Sequence, residues 1–323
     1  MSANTSKSGG NAANGNMNPF KAAELLHNAF KGLGTDEKAI IDVIAHCTNA
    51  ERQQIKEKYV AMYKRSLEND LKDELGGHFL SLCLALMTPP HIFDAKCIRK
   101  YIKGEDKAPN TVVEILCCKP NYQIKLIKDS YLSMFDTELY YDVNAETKGY
   151  VRRLLISLLS GRRTEKLDLN MKQARFDATR LHEFKVSSWT TEDSVFNRII
   201  CLRNERQLEA TFDEFLKIAK RPMDRVIEDS DIHEESKLAM RTCVLQWKNQ
   251  PLYYANLLKA SMKGIGTDDC TLIRVIVSRS EIDLEEIKTE YELKFQQPLA
   301  EAISDDCSGD YRRLLLAIVD KTI

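Results

Sequence analysis

The sequence predicts an all-α protein made of four repeated units, and three observations support this fold class. Apolar residues recur at helical spacing, as at Ile40, Val43 and Ile44, so that they share one face of a helix. The alternating pattern of half-buried strands is absent from the sequence. Similar loops and closing helices return at intervals longer than the roughly 20 to 50 residues of solenoid repeats, which indicates that each unit is a small domain.

The unit boundaries follow from a polar tail, four loops and a charged linker. Residues 1–18 are polar and low in complexity, which is typical of a tail outside any core. The loops fall at Gly32, Gly104, Ser188 and Gly264. The predicted units are residues 19–90, 91–161, 173–249 and 250–323, with a linker at residues 162–172.

Capping residues mark several predicted helix starts. Thr48 with Glu51 and Ser280 with Asp283 fit capping boxes. Thr35 and Thr267 are predicted to cap the helices that follow the first and fourth loops, because a hydroxyl can accept a hydrogen bond from a first-turn amide. The acidic residues that come next would face the positive end of each helix dipole.

Bulk composition limits the function classes. The chain has 323 residues and a formal net charge of −1, so broad binding to nucleic acid is not expected. No apolar stretch approaches the roughly 18 residues of a membrane span, and any membrane contact is predicted to be peripheral. The nine cysteines include the adjacent pair Cys117-Cys118 and fit reduced cytosolic thiols. A redox role for that pair is an open alternative to simple burial.

One loop motif appears twice and is followed each time by a distant acid. Residues 31–36 and 263–268 both read Lys-Gly-x-Gly-Thr-Asp, and Glu74 or Asp306 stands 40 positions after the second glycine. Two glycines around one residue let the backbone adopt φ > 0 and turn its carbonyl oxygens outward. Carbonyl oxygens together with a carboxylate suit Ca²⁺, which takes about 6 to 8 oxygen ligands. The pattern therefore predicts two calcium sites.

The four units, the paired loops, the acid 40 residues on and closing helices such as residues 310–315 together resemble those of the annexins. The resemblance covers residues 20–323. It implies about five short helices in each repeat and a curved disc of four repeats that binds membranes through calcium.

The resemblance also assigns ligands position by position. In the first repeat, calcium would be bound by the carbonyl oxygens of Phe30, Gly32 and Gly34 and by the carboxylate of Glu74. In the fourth repeat, the ligands would be the carbonyl oxygens of Met262, Gly264 and Gly266 and the carboxylate of Asp306. Minor sites would use the Thr35 carbonyl with Glu37 and the Thr267 carbonyl with Asp269.

The second and third loops depart from the motif. The second keeps Gly104 but has Asp106 in place of the other glycine, although Glu146 stands at the 40-residue offset. The third loop has no glycine, and Ser230 stands where the acid would be, although Asp229 or Asp231 could substitute for it. We therefore expect strong calcium binding only in repeats 1 and 4.

Three further side chains are predicted to contact the membrane. Trp189 in the third loop suits the lipid headgroup layer if its indole is exposed, with packing inside its own repeat as the alternative. Lys31 and Lys263 would add modest attraction to an anionic surface. The resemblance further implies a charged centre made of Asp94, Glu114, Lys119 and Arg274.

We therefore predict a non-enzymatic, cytoplasmic protein that uses Ca²⁺ to bind anionic phospholipid membranes peripherally. Two alternatives stay open. One is a phosphate-handling enzyme, disfavoured because neither glycine loop follows a strand or has the P-loop pattern. The other is a calcium-independent helical scaffold that recruits a protein partner through its tail. The resemblance leaves open oligomerisation on membranes, channel activity and unconventional secretion.

Overall fold

The structure is a computed structural model that describes residues 17–32, 34–106, 108, 110–264 and 266–321. Within these residues the chain forms 21 α-helices and no strand, which confirms the predicted all-α class. Most of the tail predicted at residues 1–18 lies outside the described residues.

The helices fall into four groups along the chain. The first group consists of α1 (Pro19–Ala29), α2 (Glu37–His46), α3 (Asn49–Tyr63), α4 (Leu67–Glu74) and α5 (Gly77–Leu86). The second consists of α6 (Pro90–Ile102), α7 (Thr111–Cys117), α8 (Asn121–Phe135), α9 (Leu139–Glu146) and α10 (Gly149–Leu159). The third consists of α11 (Met171–Glu183), α12 (Val186–Trp189), α13 (Val195–Leu202), α14 (Glu205–Ala219), α15 (Met223–Glu228) and α16 (Glu234–Lys248). The fourth consists of α17 (Gln250–Ser261), α18 (Asp269–Arg279), α19 (Leu284–Phe295), α20 (Leu299–Asp306) and α21 (Gly309–Val319).

One compact unit contains the described residues of Met1–Met87 and Gly309–Ile323, and thus α1 to α5 with α21. Helix α1 packs against α2 and α3, and α21 packs against α2 and α5. Their apolar faces supply fully buried side chains such as Leu26, Ile40 and Leu314. Because both helices that flank the first loop are anchored in this core, the ends of that loop are fixed.

The other compact unit is Thr88–Ser308, which contains α6 to α20. Its large apolar core is built by the second and third helix groups and includes Val113, Leu154 and Phe196. Helix α17 packs against α18 and α19. The fourth loop, between α17 and α18, is therefore also held by packed helices.

The predicted caps are partly right. Thr48 and Glu51 form the expected capping box, in which the Thr48 amide donates to Glu51 at 2.7 Å and the Glu51 amide donates to the Thr48 hydroxyl at 3.3 Å. The box predicted for Ser280 and Asp283 is wrong. Arg279 Nε donates to Asp283 Oδ1 at 2.7 Å, and this charged donor takes the carboxylate that the cap would need.

A left-handed residue follows one long helix in each of the four groups. Lys64, Asp136, Lys220 and Gln296 follow α3, α8, α14 and α19 with φ between 52° and 56°. A left-handed residue at this place satisfies a last carbonyl of the helix. The four residue types differ and none is glycine, so the sequence alone does not reveal this shared stop signal.

The linker predicted at residues 162–172 is hydrogen-bonded along its length. The Thr164 amide donates to the Leu202 carbonyl at 2.9 Å, and Asn204 Nδ2 donates to the Lys166 carbonyl at 2.6 Å. Arg163 Nη1 also donates to the Arg203 carbonyl at 2.6 Å. The charged run is thus part of the folded unit and not a loose spacer.

Candidate calcium sites

The first glycine loop joins α1 to α2 in an open, left-handed conformation. Gly32 and Gly34 have φ of 114° and 93°, and the Asp36 amide closes the loop on the Ala29 carbonyl at 2.9 Å. A Cβ built on either glycine would meet nothing within 4 Å. Glycine is therefore required here by backbone conformation and not by crowding.

The fourth loop repeats this geometry between α17 and α18. Gly264 and Gly266 have φ of 108° and 89°, and the Asp268 amide donates to the Ser261 carbonyl at 2.7 Å. As in the first loop, the space where a Cβ would stand is open. Two segments far apart in sequence thus form the same exposed backbone turn.

The distant acids lie beside these loops. Glu74 is the last residue of α4, and its Oε2 accepts a hydrogen bond from the Thr35 hydroxyl at 3.1 Å. Asp306 is the last residue of α20, and its Oδ2 accepts a hydrogen bond from the Thr267 hydroxyl at 2.5 Å. Each carboxylate predicted from a 40-residue spacing is therefore in contact with its own loop.

The two loop threonines do not cap the following helices, so that prediction is wrong. Asp36 is the N-cap of α2 and accepts from the Ala39 amide at 2.9 Å, while Asp268 caps α18 by accepting from the Thr271 amide at 3.1 Å. A carboxylate is the stronger acceptor for the helix terminus. The threonine hydroxyls are left to hold the site carboxylates, a role that sequence reasoning missed.

The remaining predicted ligands occupy the positions that flank the turns. Phe30 and Met262 are the half-buried C-cap residues of α1 and α17. Glu37 is the first residue of α2. Lys31 and Lys263 are exposed beside the first glycine of each loop.

The second loop differs from the other two in chemistry. The Oε1 atom of Glu146 accepts from Lys103 Nζ at 3.0 Å, and the same ammonium lies 3.5 Å from Asp142. Asp106 is buried, and its Oδ1 accepts from the Ala108 amide at 2.9 Å. Lys107 and Pro109, also part of this loop, lie outside the described residues. The acid at the 40-residue offset is here neutralised by a lysine.

The predicted membrane contact of an exposed indole at Trp189, in the third loop, is wrong. This side chain is only 1% exposed, stacks on Phe196 with ring centroids 5.5 Å apart, and meets the edge of Phe215 at 6.4 Å. Burial of the large ring against two aromatic side chains outweighs the preference of tryptophan for an interface. Of the two neighbouring acids considered as substitutes, Asp229 forms an ion pair with Arg221.

The charged centre forms as two ion pairs within the larger unit. Arg274 pairs with Glu114, and both side chains are almost fully buried. Lys119 Nζ lies 2.6 Å from Asp94 Oδ2. Burial raises the pKa of Glu114 against the effect of Arg274, and the pKa of Arg274 is raised by Glu114 despite the opposing effect of burial.

Within the described residues, no group of three or more His, Cys, Asp and Glu side chains could hold a metal ion. In the same part of the chain, no helix combines the length and the apolar character needed to cross a membrane.

Comparison with known proteins agrees with this architecture. A family profile described as Annexin matches residues 21–86, 93–158, 176–237 and 253–318. Human annexin A7 is 40% identical over 306 residues, which are 94% of this chain and 62% of that protein. A solved structure of annexin III is 38% identical with a TM-score of 0.89 and 94% coverage of both chains. A calcium-bound annexin (Sm)1 structure is 29% identical with a TM-score of 0.84, covering 94% of this chain and 91% of the other.

Four profile matches and two paired glycine loops define a four-repeat helical protein. The chain belongs to the annexin family. Annexins are known for calcium-dependent binding to phospholipid membranes and are generally membrane-binding proteins rather than enzymes. The chain spans less than two thirds of annexin A7.

Proposed function

We propose that this chain binds calcium ions in its first and fourth loops and, through those ions, attaches peripherally to anionic phospholipid membranes. The observation that carries the proposal is the contact between each open glycine loop and a carboxylate 40 residues away. The calcium-bound state of the related annexin (Sm)1 supports the choice of ion.

The proposed ligand sets combine backbone and carboxylate oxygens. The first site uses the carbonyl oxygens of Phe30, Gly32 and Gly34 with the carboxylate of Glu74. The fourth site uses those of Met262, Gly264 and Gly266 with the carboxylate of Asp306. Three carbonyls and a bidentate carboxylate supply about five oxygens, so one to three places of the calcium shell are left for water or lipid phosphate. Minor sites at the Thr35 carbonyl with Glu37, and at the Thr267 carbonyl with Asp269, belong to the same proposal.

The contrast among the repeats supports a two-site assignment. Within the described residues, the hydrogen-bond partner of Glu74 or Asp306 is a neutral threonine hydroxyl. By contrast, Glu146 accepts from the lysine ammonium of repeat 2, and Asp229 of repeat 3 pairs with an arginine. Calcium would have to displace these cations and would find fewer outward carbonyls. Strong binding is therefore assigned to repeats 1 and 4.

Calcium and lipid are expected to bind cooperatively. A lipid phosphate that completes the calcium shell raises calcium affinity, and by linkage calcium raises lipid affinity by the same factor. Because the chain has a net charge of −1, the bound ions supply most of the attraction to an anionic bilayer. The exposed Lys31 and Lys263 add a modest contribution. The tail, as a binding segment for a protein partner, remains a separate prediction.

Site variants test the assignment. Glu74→Gln and Asp306→Asn each remove one carboxylate charge and are expected to raise the calcium concentration needed for co-sedimentation with phosphatidylserine vesicles by about tenfold. The double variant should lose binding at micromolar to submillimolar calcium. Glu146→Gln is the matched control and should titrate like the unmodified chain. Unchanged binding by the double variant would show that the ligands lie elsewhere.

A further inference from the structure

A hydrogen-bond network connects the two helices that carry the proposed ligands of the first calcium site. Tyr59 of α3 is fully buried, and its hydroxyl donates to Asp70 Oδ2 on α4 at 2.5 Å. Nδ1 of His27 on α1 lies 3.2 Å from the same hydroxyl oxygen. Because the single phenolic proton is donated to Asp70, the imidazole is the donor in this second contact. These three side chains form a tyrosine network that links α1 to α4 through α3.

Both ends of the tyrosine network lie near proposed calcium ligands. His27 is in the last turn of α1, three residues before Phe30, whose carbonyl belongs to the first ligand set. Asp70 is one turn before Glu74 on α4, so the two acids lie on the same side of that short helix. Asp70 is only 5% exposed, and Arg65 Nε donates to its Oδ1 at 2.8 Å. The network therefore holds the helix before the carbonyl ligands against the helix that ends in the carboxylate ligand.

Aromatic packing keeps the histidine in this position. The His27 ring stacks on Tyr63 with centroids 3.7 Å apart and planes at 17°, and it meets the edge of the Tyr59 ring at 5.8 Å. Helices α1 and α3 pack against each other. The imidazole therefore cannot turn away from the Tyr59 hydroxyl without losing its stacking contact.

The second repeat contains the same network with a different cation. The residues 72 positions after the three members of the network are Arg99, Tyr131 and Asp142. The Tyr131 hydroxyl donates to Asp142 Oδ2 at 2.6 Å, and Arg99 donates to both that hydroxyl and that carboxylate. Two repeats thus share a buried tyrosine that donates to an acid one turn before the end of the helix.

The fourth repeat has lost the network. The residues 232 positions after those of the first repeat are Lys259, Tyr291 and Ala302. Alanine offers no side-chain acceptor, and the fully buried hydroxyl of Tyr291 has no hydrogen-bond partner among the residues that the structure describes. Lys259 Nζ lies 5.9 Å from the centre of the Tyr291 ring. This tyrosine therefore does not tie α20, which ends in Asp306, to α19 by a hydrogen bond.

We propose that His27, Tyr59 and Asp70 are positioning residues that raise the calcium affinity of the first site, and that the fourth site lacks this contribution. The inference rests on the proposed calcium-binding function, because the three side chains act only through the ligands beside them. A site whose carbonyl loop and carboxylate are already held in place loses less conformational freedom when the ion binds. In the fourth repeat, more of this ordering accompanies binding.

Matched tyrosine variants test the role of the hydroxyl. Tyr59→Phe breaks the network, whereas Tyr291→Phe removes a hydroxyl without a partner in the described part of the chain. Tyr59→Phe is made in an Asp306→Asn parent and Tyr291→Phe in a Glu74→Gln parent, so that each titration reports one site. Co-sedimentation with phosphatidylserine vesicles is measured across a calcium titration. We expect Tyr59→Phe to raise the calcium midpoint about two- to tenfold over its parent and Tyr291→Phe to leave it unchanged.

A reciprocal exchange between repeats separates positioning from folding stability. In the same parents, Asp70→Ala gives repeat 1 the alanine of repeat 4, and Ala302→Asp gives repeat 4 the acid of repeat 1, with Lys259 as its countercharge. We expect the first exchange to raise the calcium midpoint of its site about two- to tenfold and the second to lower it by a similar factor. A purely structural role would lower the urea midpoint of the calcium-free protein and leave both calcium midpoints unchanged, which would overturn the proposal. If either exchange fails to fold, the tyrosine pair still decides.

Failure of this inference and failure of the proposed function give different results. If the unmodified chain binds the vesicles with calcium but Tyr59→Phe has the midpoint of its parent, the positioning role alone is overturned. Equal increases in Tyr59→Phe and Tyr291→Phe would also overturn it. If the unmodified chain shows no calcium-dependent binding, the proposed function is overturned, and the positioning role with it.

Discussion

The hydroxyl of Thr35 donates a hydrogen bond to Oε2 of Glu74 at 3.1 Å, which ties the glycine loop of the first repeat to the end of α4. In the fourth repeat, the Thr267 hydroxyl donates the equivalent hydrogen bond to Oδ2 of Asp306 at 2.5 Å. A carboxylate oxygen has two lone pairs, so it can accept this bond and still face a calcium ion. The threonine therefore orients the proposed carboxylate ligand and leaves it able to bind calcium.

Removal of this hydroxyl should weaken calcium binding. Thr35→Val keeps the side-chain shape but leaves Glu74 without its orienting bond, and a hydrogen bond of about 0.5 to 1.5 kcal/mol corresponds to roughly two- to tenfold in affinity. We expect that increase in the calcium midpoint for the first site, measured by titration in the presence of anionic vesicles. Thr190→Val is the control, because its hydroxyl donates locally to the Ser187 carbonyl. Equal effects of both variants would contradict an orienting role.

Gly34, the second glycine of the first loop, is predicted to support calcium binding through its backbone conformation alone. Gly34→Ala places a Cβ in open space, so the substitution creates no steric clash. It does force alanine to adopt a φ of 93°, and this backbone strain costs roughly 1 to 3 kcal/mol. The loop should relax and turn its carbonyls away, raising the calcium midpoint about tenfold by vesicle co-sedimentation. Gly104→Ala, at φ 75° in the second loop, imposes comparable strain and should leave calcium binding unchanged. A calcium defect in Gly104→Ala would argue for a functional second site.

The fold and the two glycine loops were predictable from the sequence for physical reasons that particular residues illustrate. Apolar spacing predicts α2 because Ile40 and Ile44 share one face of a helix. The glycine loops are recognisable because two glycines and an acid at a fixed distance recur in the sequence. The role of Thr35 was not predictable, because a threonine before a helix is an equally good cap. Burial of Trp189 depends on Phe196 and Phe215, whose proximity arises only from tertiary packing.

The buried pair of Glu114 and Arg274 should be important for stability. Their side chains are 3% and 4% exposed, so Arg274→Met leaves a carboxylate without its countercharge. The expected loss is about 3 to 5 kcal/mol in the free energy of unfolding, measured by urea denaturation. Adding Glu114→Gln should restore part of that loss. Lys38→Met, which breaks an exposed ion pair with Asp42, is the control and should change the unfolding curve little. A double variant that is worse than the sum of the single variants would contradict this account.

Asp142 should make the larger unit sensitive to acid. Burial would raise its pKa, but the Tyr131 hydroxyl, which donates at 2.6 Å, together with Lys103 and Arg99, holds the pKa below its usual value of 3.8. Because the pKa of the folded state is lower than that of the unfolded chain, this contribution to stability is present above about pH 4 and is lost as pH falls through the folded value. Asp142→Asn should lower the urea midpoint at pH 7 and flatten its acid dependence. An unchanged acid dependence in this variant would contradict the assignment.

The most direct test of the central claim is co-sedimentation of the full chain with phosphatidylserine vesicles across a calcium titration, followed by a chelator wash. Phosphatidylcholine vesicles provide the neutral control. We predict that binding to the anionic vesicles appears with calcium, reverses in chelator and is weak or absent on the neutral ones. Binding that persists in chelator, or no binding at millimolar calcium, would contradict calcium-bridged attachment through the first and fourth loops.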